Sequence, residues 1–547
     1  MSRPPGAAAD EVTEVPSAGL ARDSAVVAAW TLVSRATGLL RVMSIGAVMG
    51  PTFLANAYQS TQALPQVVYE VLTGSLFASL LVPPMVRAFD DRDPRGAARV
   101  AGGFLGVALA VFFFVGVAVV VAGPLVMRLL GLGISDPAVA VDQRRIGVLL
   151  LALLMPQLLF YGVAGTAAAA MNARRRFALP AAAPAVENIG ISVTLLVFAG
   201  MGGVGQDISD VTTSQLVVLG AGTTCAVALH AAVQWCGAAA AGVRLVPRPG
   251  WRDTDVRLLL RAARPALGHS ALSAVLMLGV LVVAGSVAGG VVSFVLALNF
   301  FYLVTALTAR PLATALLPRA ARLHQAGDLA GVRAQLDRSL SMLAFLVVPA
   351  ACCLLALAAP LSWAVTLGEM ATPRGESLVA VSLAVISLSV VGEACFIVLT
   401  AGSYAQGQAA PPFHAMALRA GLTVTGMVVT LALADGAAVL VGLGLSKAAG
   451  DLCSALYLSR KVLGALPAGD GLLLPVALRG LVVGALMGTA GALVAAPARS
   501  VVDGAPGDLL AGAAAAGTAT ACFLLLHAAL RSPELAAVLH VARGRRG

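Results

Sequence analysis

Apolar stretches of about 20 residues follow one another along almost the whole of this chain. A helix of that length crosses the roughly 30 Å hydrocarbon layer of a bilayer. Inside that layer each backbone polar group needs a partner within the protein, and a helix pairs its own. Fourteen spans can be read, at 24–50, 56–86, 100–131, 146–171, 180–201, 215–240, 265–288, 291–318, 340–368, 377–402, 413–434, 436–459, 473–496 and 507–530. Only the pair Gly289 and Gly290 divides the seventh span from the eighth. The pattern predicts an all-α polytopic membrane protein.

Composition agrees. Of 547 residues, 59% are hydrophobic and 11% charged, against about 45–50% and about 25% in soluble chains. That balance excludes a soluble enzyme and a disordered chain. The net charge of +10 does not signal nucleic acid, because the basic residues sit in short connections, where they act as orientation signals. With the N-terminus inside, the cytoplasmic connections carry Arg87, Arg92, Arg95, Arg99, Arg174, Arg175, Arg176, Arg244, Arg248, Arg252, Arg257, Arg261, Arg264, Arg319, Arg322, Arg333 and Arg338. Arg460, Lys461 and Arg479 follow near the end. The opposite connections hold only Arg128, Arg144, Arg145, Arg374 and Arg499. Both termini are therefore expected in the cytoplasm. Residues 1–23 lack the basic and apolar segments of a signal peptide and read as a disordered cytoplasmic tail. The seven cysteines lie in apolar runs without metal-binding spacing.

The chain repeats itself. The second span ends in Leu-Val-Pro83-Pro84-Met-Val-Arg87 and the eighth in Leu-Leu-Pro318-Arg319-Ala-Ala-Arg322. Pro83 and Pro318 lie 235 residues apart, and Pro180 and Pro411, after the fourth and tenth spans, lie 231 apart. Six spans is an even number, so the two copies share one orientation and form a parallel repeat. The expected organisation is a tail at 1–23, a first lobe at 24–240, a cytoplasmic linker at 241–264, a second lobe at 265–460, two further helices within 461–530, and a cytoplasmic tail at 531–547.

Polar residues at membrane depth mark candidate functional positions, because they are costly against lipid. The first span holds Arg35 and Arg41, which point to a wet cavity. The second carries Asn56, Gln59, Gln62, Gln66 and Glu70 at intervals of three or four, a polar stripe on one helical face. The eighth offers Asn299 and Arg310, three turns apart on one face. Lys447 and Asp451 are expected to neutralise each other. Glu187 and Glu393 are open to two readings, as carriers of a proton or cation or as structural hydrogen-bond acceptors. The chain shows no phosphate-binding loop, no zinc-protease motif, no nucleophile elbow and no loop long enough for a nucleotide-binding domain. Neither an enzyme nor an ATP-driven pump is expected.

Several segments resemble one family. Ser34-Arg35-Ala-Thr-Gly38-Leu-Leu-Arg41 resembles the SRxxGxxR opening of the MurJ/MviN lipid II flippases. Leu64-Pro65-Gln66 is similar to their LPN, Val82-Pro83 to the end of their second helix, and Leu316-Leu317-Pro318 to the LLP that ends their eighth. Pro156 to Phe160, Met171-Asn172-Ala173, Phe177, Pro180 and Pro184 are similar to a further segment of theirs. The resemblance runs from about 24 to 460. It implies the multidrug/oligosaccharidyl-lipid/polysaccharide exporter fold, with two six-helix lobes about a cationic cavity and two C-terminal helices forming a groove for a lipid tail. It implies Arg35 and Arg41 as ligands of a lipid-linked diphosphate. The partners it implies are lipid II or a similar lipid, and membrane lipids, for a monomer in the bacterial inner membrane. No cofactor is implied, and coupling to Na+ or H+ is left open. The chain departs from the family at Asn56, where an acid is usual, at Tyr69, where an arginine is common, and at Leu298-Asn299, where Asp-Arg is usual. Two alternatives accompany this reading. One is a cation-coupled exporter of the same fold for a drug or another polyprenyl-linked glycan. The other is a transport-dead scaffold that recruits cell-wall synthesis proteins.

Overall fold

A computed structural model describes residues 18–73, 81–251, 254–469, 471, 473–502 and 504–536. Among the described residues all regular structure is helical. The helices are α1 (Ala18–Met49), α2 (Phe53–Thr73) and α3 (Pro94–Val121), then α4 (Pro137–Ala173) and α5 (Ala178–Gly203). Next come α6 (Thr213–Ala240) and α7 (Thr254–Gly285), α8 (Gly290–Gln325), α9 (Leu329–Ala356), α10 (Pro373–Ala405), α11 (Ala410–Leu433) and α12 (Ala437–Leu463). The last two are α13 (Leu473–Arg499) and α14 (Ala505–Ala529).

Thirteen of these are long and apolar enough to cross a membrane. The fourteenth expected span is α2. Its polar residues lower its hydropathy, and residues 74–80, which it was expected to include, lie outside the described residues. Two other boundaries differ. Helix α1 already begins at Ala18, inside the expected tail, and residues 1–17 lie outside the description. Helix α7 begins at Thr254, so 254–264 extends a helix instead of serving as linker. Leu, Arg and Ala dominate that stretch and are strong helix formers.

The connection that remains, 241–251, lies along α3. Arg248 donates its backbone N–H to the Gly102 carbonyl at 3.0 Å. A Cβ on Gly102 would stand 2.3 Å from the Val246 carbonyl oxygen. Only glycine lets the chain approach the helix this closely.

The neighbour pattern exposes the repeat. In the first half α1 packs on α5, α2 on α4, α3 on α4, and α6 on both α4 and α5. In the second half α7 packs on α11, α8 on α10, α9 on α10, and α12 on both α10 and α11. Every one of these pairings recurs six helices on. The lobes meet where α1 and α2 touch α7 and α8. Helix α13 leans on α9, and α14 on α13 and on a short helix, Ala358–Val365.

Burial is inside-out relative to a soluble protein. Val121, Leu433 and Leu493 are 76%, 81% and 77% exposed, while Asn56, Thr223 and Asp451 are fully buried. Apolar side chains turned outward satisfy lipid, and polar ones turned inward find partners.

Candidate functional site

At one end the lobes are pinned together. Asn56 of α2 is buried and reaches across to the turn between α7 and α8. Its Nδ2 donates to the carbonyls of Val287 at 2.6 Å and Gly285 at 3.3 Å. Its Oδ1 accepts from Val291 N–H at 3.0 Å. The Gly285 carbonyl at the end of α7 and the Val291 N–H at the start of α8 have no partner in their own helices, while the Val287 carbonyl of the turn also accepts from the Gly290 N–H at 2.8 Å. The Gly289 N–H also donates to the Thr52 carbonyl, at 3.1 Å. Gly289 has φ +78°, and a Cβ there would stand 2.4 Å from Pro51 Cα.

This corrects the expected polar stripe. Asn56 faces the turn of the other lobe and not a cavity. Gln59 and Gln62 are also buried, at 4% and 8% exposure. Only the second half of the stripe opens: Gln66 and Glu70 are exposed, with Gln66 Nε2 donating to Glu70 Oε1 at 3.5 Å. Helical periodicity defined the face correctly, but the closure of the lobes decides which part of it meets water.

Glu70 and Val67 line a cavity of about 340 Å³ together with Ser270, Ser273, Met277 and Arg310. The walls come from both lobes. Arg310 lies two residues after a break in α8 at Thr308, which has φ −114° and ψ −70°. Pro311 has no N–H to continue the ladder, which accounts for the break. Arg310, Ser273 and Met277 also line a second cavity, of about 470 Å³, that runs into the second lobe among His269, Tyr302, Glu393, Arg419 and Lys447. Asn299, expected beside Arg310, is half-buried and donates Nδ2 to the Val295 carbonyl one turn back, at 2.8 Å.

The floor of that second cavity is a charged network. Arg419 of α11 bridges Glu393 of α10 and Asp451 of α12, its Nε 2.6 Å from Asp451 Oδ1. Lys447 Nζ lies 2.8 Å from Asp451 Oδ2, and Ser389 donates to the same oxygen at 2.6 Å. Lys447 and Asp451 do pair, as their spacing predicts, but within a cluster of four charges. Lys447 also stands 4.4 Å from the centre of the Phe301 ring.

The first lobe holds a counterpart. Arg41 Nη1 is 3.9 Å from Glu187 Oε1. Tyr161 donates its hydroxyl to that oxygen at 2.9 Å, and His230 Nδ1 is 2.8 Å from Glu187 Oε2. Tyr69 packs against Tyr161 with ring centres 5.6 Å apart and against Phe112 at 6.0 Å. Arg35 is exposed on α1, toward the end opposite Asn56.

Arg419, His230 and Tyr161 escaped sequence reasoning, because each lies singly in an apolar run. The repeat held a signal. Tyr161 and Glu393 are 232 residues apart, and so are Glu187 and Arg419. Equivalent positions of the two lobes thus hold Tyr and Glu in the first, and Glu and Arg in the second.

A family model described as "Lipid II flippase MurJ" matches residues 45–511. The chain belongs to the MurJ lipid II flippase family. A probable lipid II flippase MurJ of Rhizobium meliloti (strain 1021) is 26% identical over 348 residues, 62% of this chain and 62% of that protein. One of Vibrio cholerae (serotype O1, El Tor Inaba N16961) is 24% identical over 407 residues, 72% of this chain and 74% of that one. The fold is that of MurJ: a solved MurJ in an inward closed conformation superposes with TM-score 0.70 at 14% identity, over 92% of this chain and 99% of that one. An inward-facing multidrug transporter of the MATE family superposes at 0.61 with 15% identity, covering 80% and 95%. Both support the fold expected from the motifs. The MurJ match begins at residue 45, so Arg35 and Arg41 precede it and rest on their own motif and geometry.

Proposed function

We propose that this MurJ-family protein moves undecaprenyl-diphosphate-linked peptidoglycan precursor, lipid II, from the inner to the outer leaflet of the cytoplasmic membrane by alternating access. One observation carries the reading: a polar cavity walled by both lobes, with the lobes latched at one end by Asn56 and the cavity bearing exposed Glu70 and Arg310 toward the other. The density of arginines in the connections supports a cytoplasmic location for that polar end, with both termini on the same side.

On this reading the head group enters from the cytoplasm while its prenyl tail stays in lipid. A diphosphate leaving water needs fixed positive partners, since attraction between charges strengthens as the surroundings become less polar. Arg35 and Arg41 of α1 and Arg310 of α8 supply these from two lobes. Guanidinium groups bind phosphate oxygens in pairs through a planar fork. Closure around the head group, with release of the Asn56 latch, then exposes the cavity to the other face. No bond of the cargo is made or broken. Transport is favoured over a passive scaffold role by charged residues on both walls of the cavity, which would be an expense without a polar cargo.

Complementation of a cell depleted of its own flippase tests the proposal. Rescue of growth supports lipid II transport. Failure with normal membrane insertion moves the cargo to another lipid-linked glycan or revives the scaffold reading.

A further inference from the structure

The first-lobe cluster contains more hydrogen-bonding capacity than a structural ion pair uses. Glu187 on α5 is 8% exposed and His230 on α6 is 7% exposed. Three helices deliver groups to the carboxylate: Tyr161 from α4 at 2.9 Å, His230 from α6 at 2.8 Å and Arg41 from α1 at 3.9 Å. Helix α2 contributes Tyr69 against Tyr161 and, nearby, Tyr58, whose hydroxyl lies 2.6 Å from Thr223 Oγ1 of α6. Among the described residues no other ion pair reaches Glu187 or His230. Two buried nitrogens have no hydrogen-bond partner among them: His230 Nε2 and Arg41 Nε. With Nδ1 against the carboxylate, the second ring nitrogen of His230 is left without a partner, and the Arg41 guanidinium is held to Glu187 at 3.9 Å.

We propose that Glu187 and His230 form a proton-binding site that competes with the cargo for Arg41, so that binding of a diphosphate is coupled to uptake of one proton. This rests on the reading that Arg41 contacts the diphosphate. While His230 is neutral, Arg41 alone balances the charge of Glu187. A phosphate that draws Arg41 away leaves a buried carboxylate without its counter-charge, which is costly. A proton on the His230 ring turns the 2.8 Å contact into an imidazolium–carboxylate pair and frees Arg41. Histidine is suited to this, because its charge changes near neutral pH. When the cargo leaves, Arg41 returns to Glu187 and the proton is expelled. Linkage makes the effect mutual: protons strengthen cargo binding as much as cargo strengthens proton binding.

The experiment uses the full chain purified in nanodiscs and a short-chain prenyl diphosphate joined to a sugar. That probe is a diphosphate diester with no group of its own titrating near neutrality. Its affinity is measured from about pH 6 to about pH 8.5, spanning the histidine range. A pH indicator in weak buffer records protons taken up on mixing. The expected wild-type result is affinity that rises as pH falls, by up to about tenfold per pH unit for one linked proton, with uptake approaching one proton per probe bound. His230→Gln is expected to bind the probe with a flat pH profile and no uptake. Glu187→Gln, the second variant, is expected to bind at every pH as the wild type does at low pH. A flat wild-type profile without uptake overturns the coupling, and so does a slope that persists in both variants. Arg41→Ala separates the two ideas. If it abolishes probe binding, the cargo-site reading stands whatever the pH profile. If it binds like the wild type, that reading itself fails.

Discussion

Asn56 Nδ2 lies 2.6 Å from the carbonyl oxygen of Val287, so one side chain of the first lobe caps a helix end of the second. With the bonds to Gly285 and Val291 it holds three backbone groups of the α7–α8 turn, two of which have no partner in their own helix. These bonds exist only while this end is shut.

Asn56→Ala is therefore expected to favour the state open at this end. Loss of the latch costs the closed state about 2 kcal/mol, roughly a 30-fold change in the equilibrium. Cysteine placed at Ser286, on the α7–α8 turn, should react faster with an impermeant reagent from outside the cell in the variant than in the parent. An unchanged rate would show that Asn56 does not hold the gate.

The two halves of the α2 stripe are expected to differ in water access. In a background freed of native cysteines, thiols at Gln66 and Glu70 should react with a small hydrophilic reagent at least about ten times faster than thiols at Gln59 and Gln62, since the latter pair is buried. Equal rates along the stripe would contradict closure of the lobes at the Asn56 end.

Arg41→Ala is expected to abolish complementation while the protein still reaches the membrane. Arg41→Lys should keep part of the activity, because a point charge attracts phosphate without the bidentate fork. Arg41→Glu should be worse than Ala, since it repels the anion. Normal flipping by the Ala variant at normal expression would move the cargo site toward Arg310.

Arg419 is expected to matter first for stability. Its removal leaves half-buried Glu393 without an ion pair among the described residues and buried Asp451 with Lys447 alone. Breaking such a cluster from one side costs about 3–5 kcal/mol. Arg419→Leu should lower the midpoint of thermal unfolding in detergent, and the double change with Glu393→Gln should recover part of the loss. A single variant as stable as the parent would show that the network does not stabilise the second lobe.

Orientation has its own test. Cysteine at Asp207 is expected to label from outside intact cells, and cysteine at Thr254 only after permeabilisation. The reverse pattern would invert the topology and with it the direction of transport.

Much of the architecture is legible in one dimension. Span length, the parallel repeat and the family motifs depend on local hydropathy and on residues close in sequence, because a bilayer imposes the same length and pairing rule on every helix. Arg35, Arg41 and the face bearing Asn56, Gln59, Gln62, Gln66 and Glu70 follow from the cost of polar groups in lipid and from helical periodicity. Tertiary structure alone decides how deep along that face the lobes close, and so why Asn56 is a latch while Glu70 meets the cavity. It alone brings His230 and Tyr161 to Glu187, and sets Arg419 between Glu393 and Asp451. Each of those partners comes from a different helix and stands singly in an apolar run. Their meeting is determined by helix rotation and packing against neighbours distant in sequence, which no local pattern encodes.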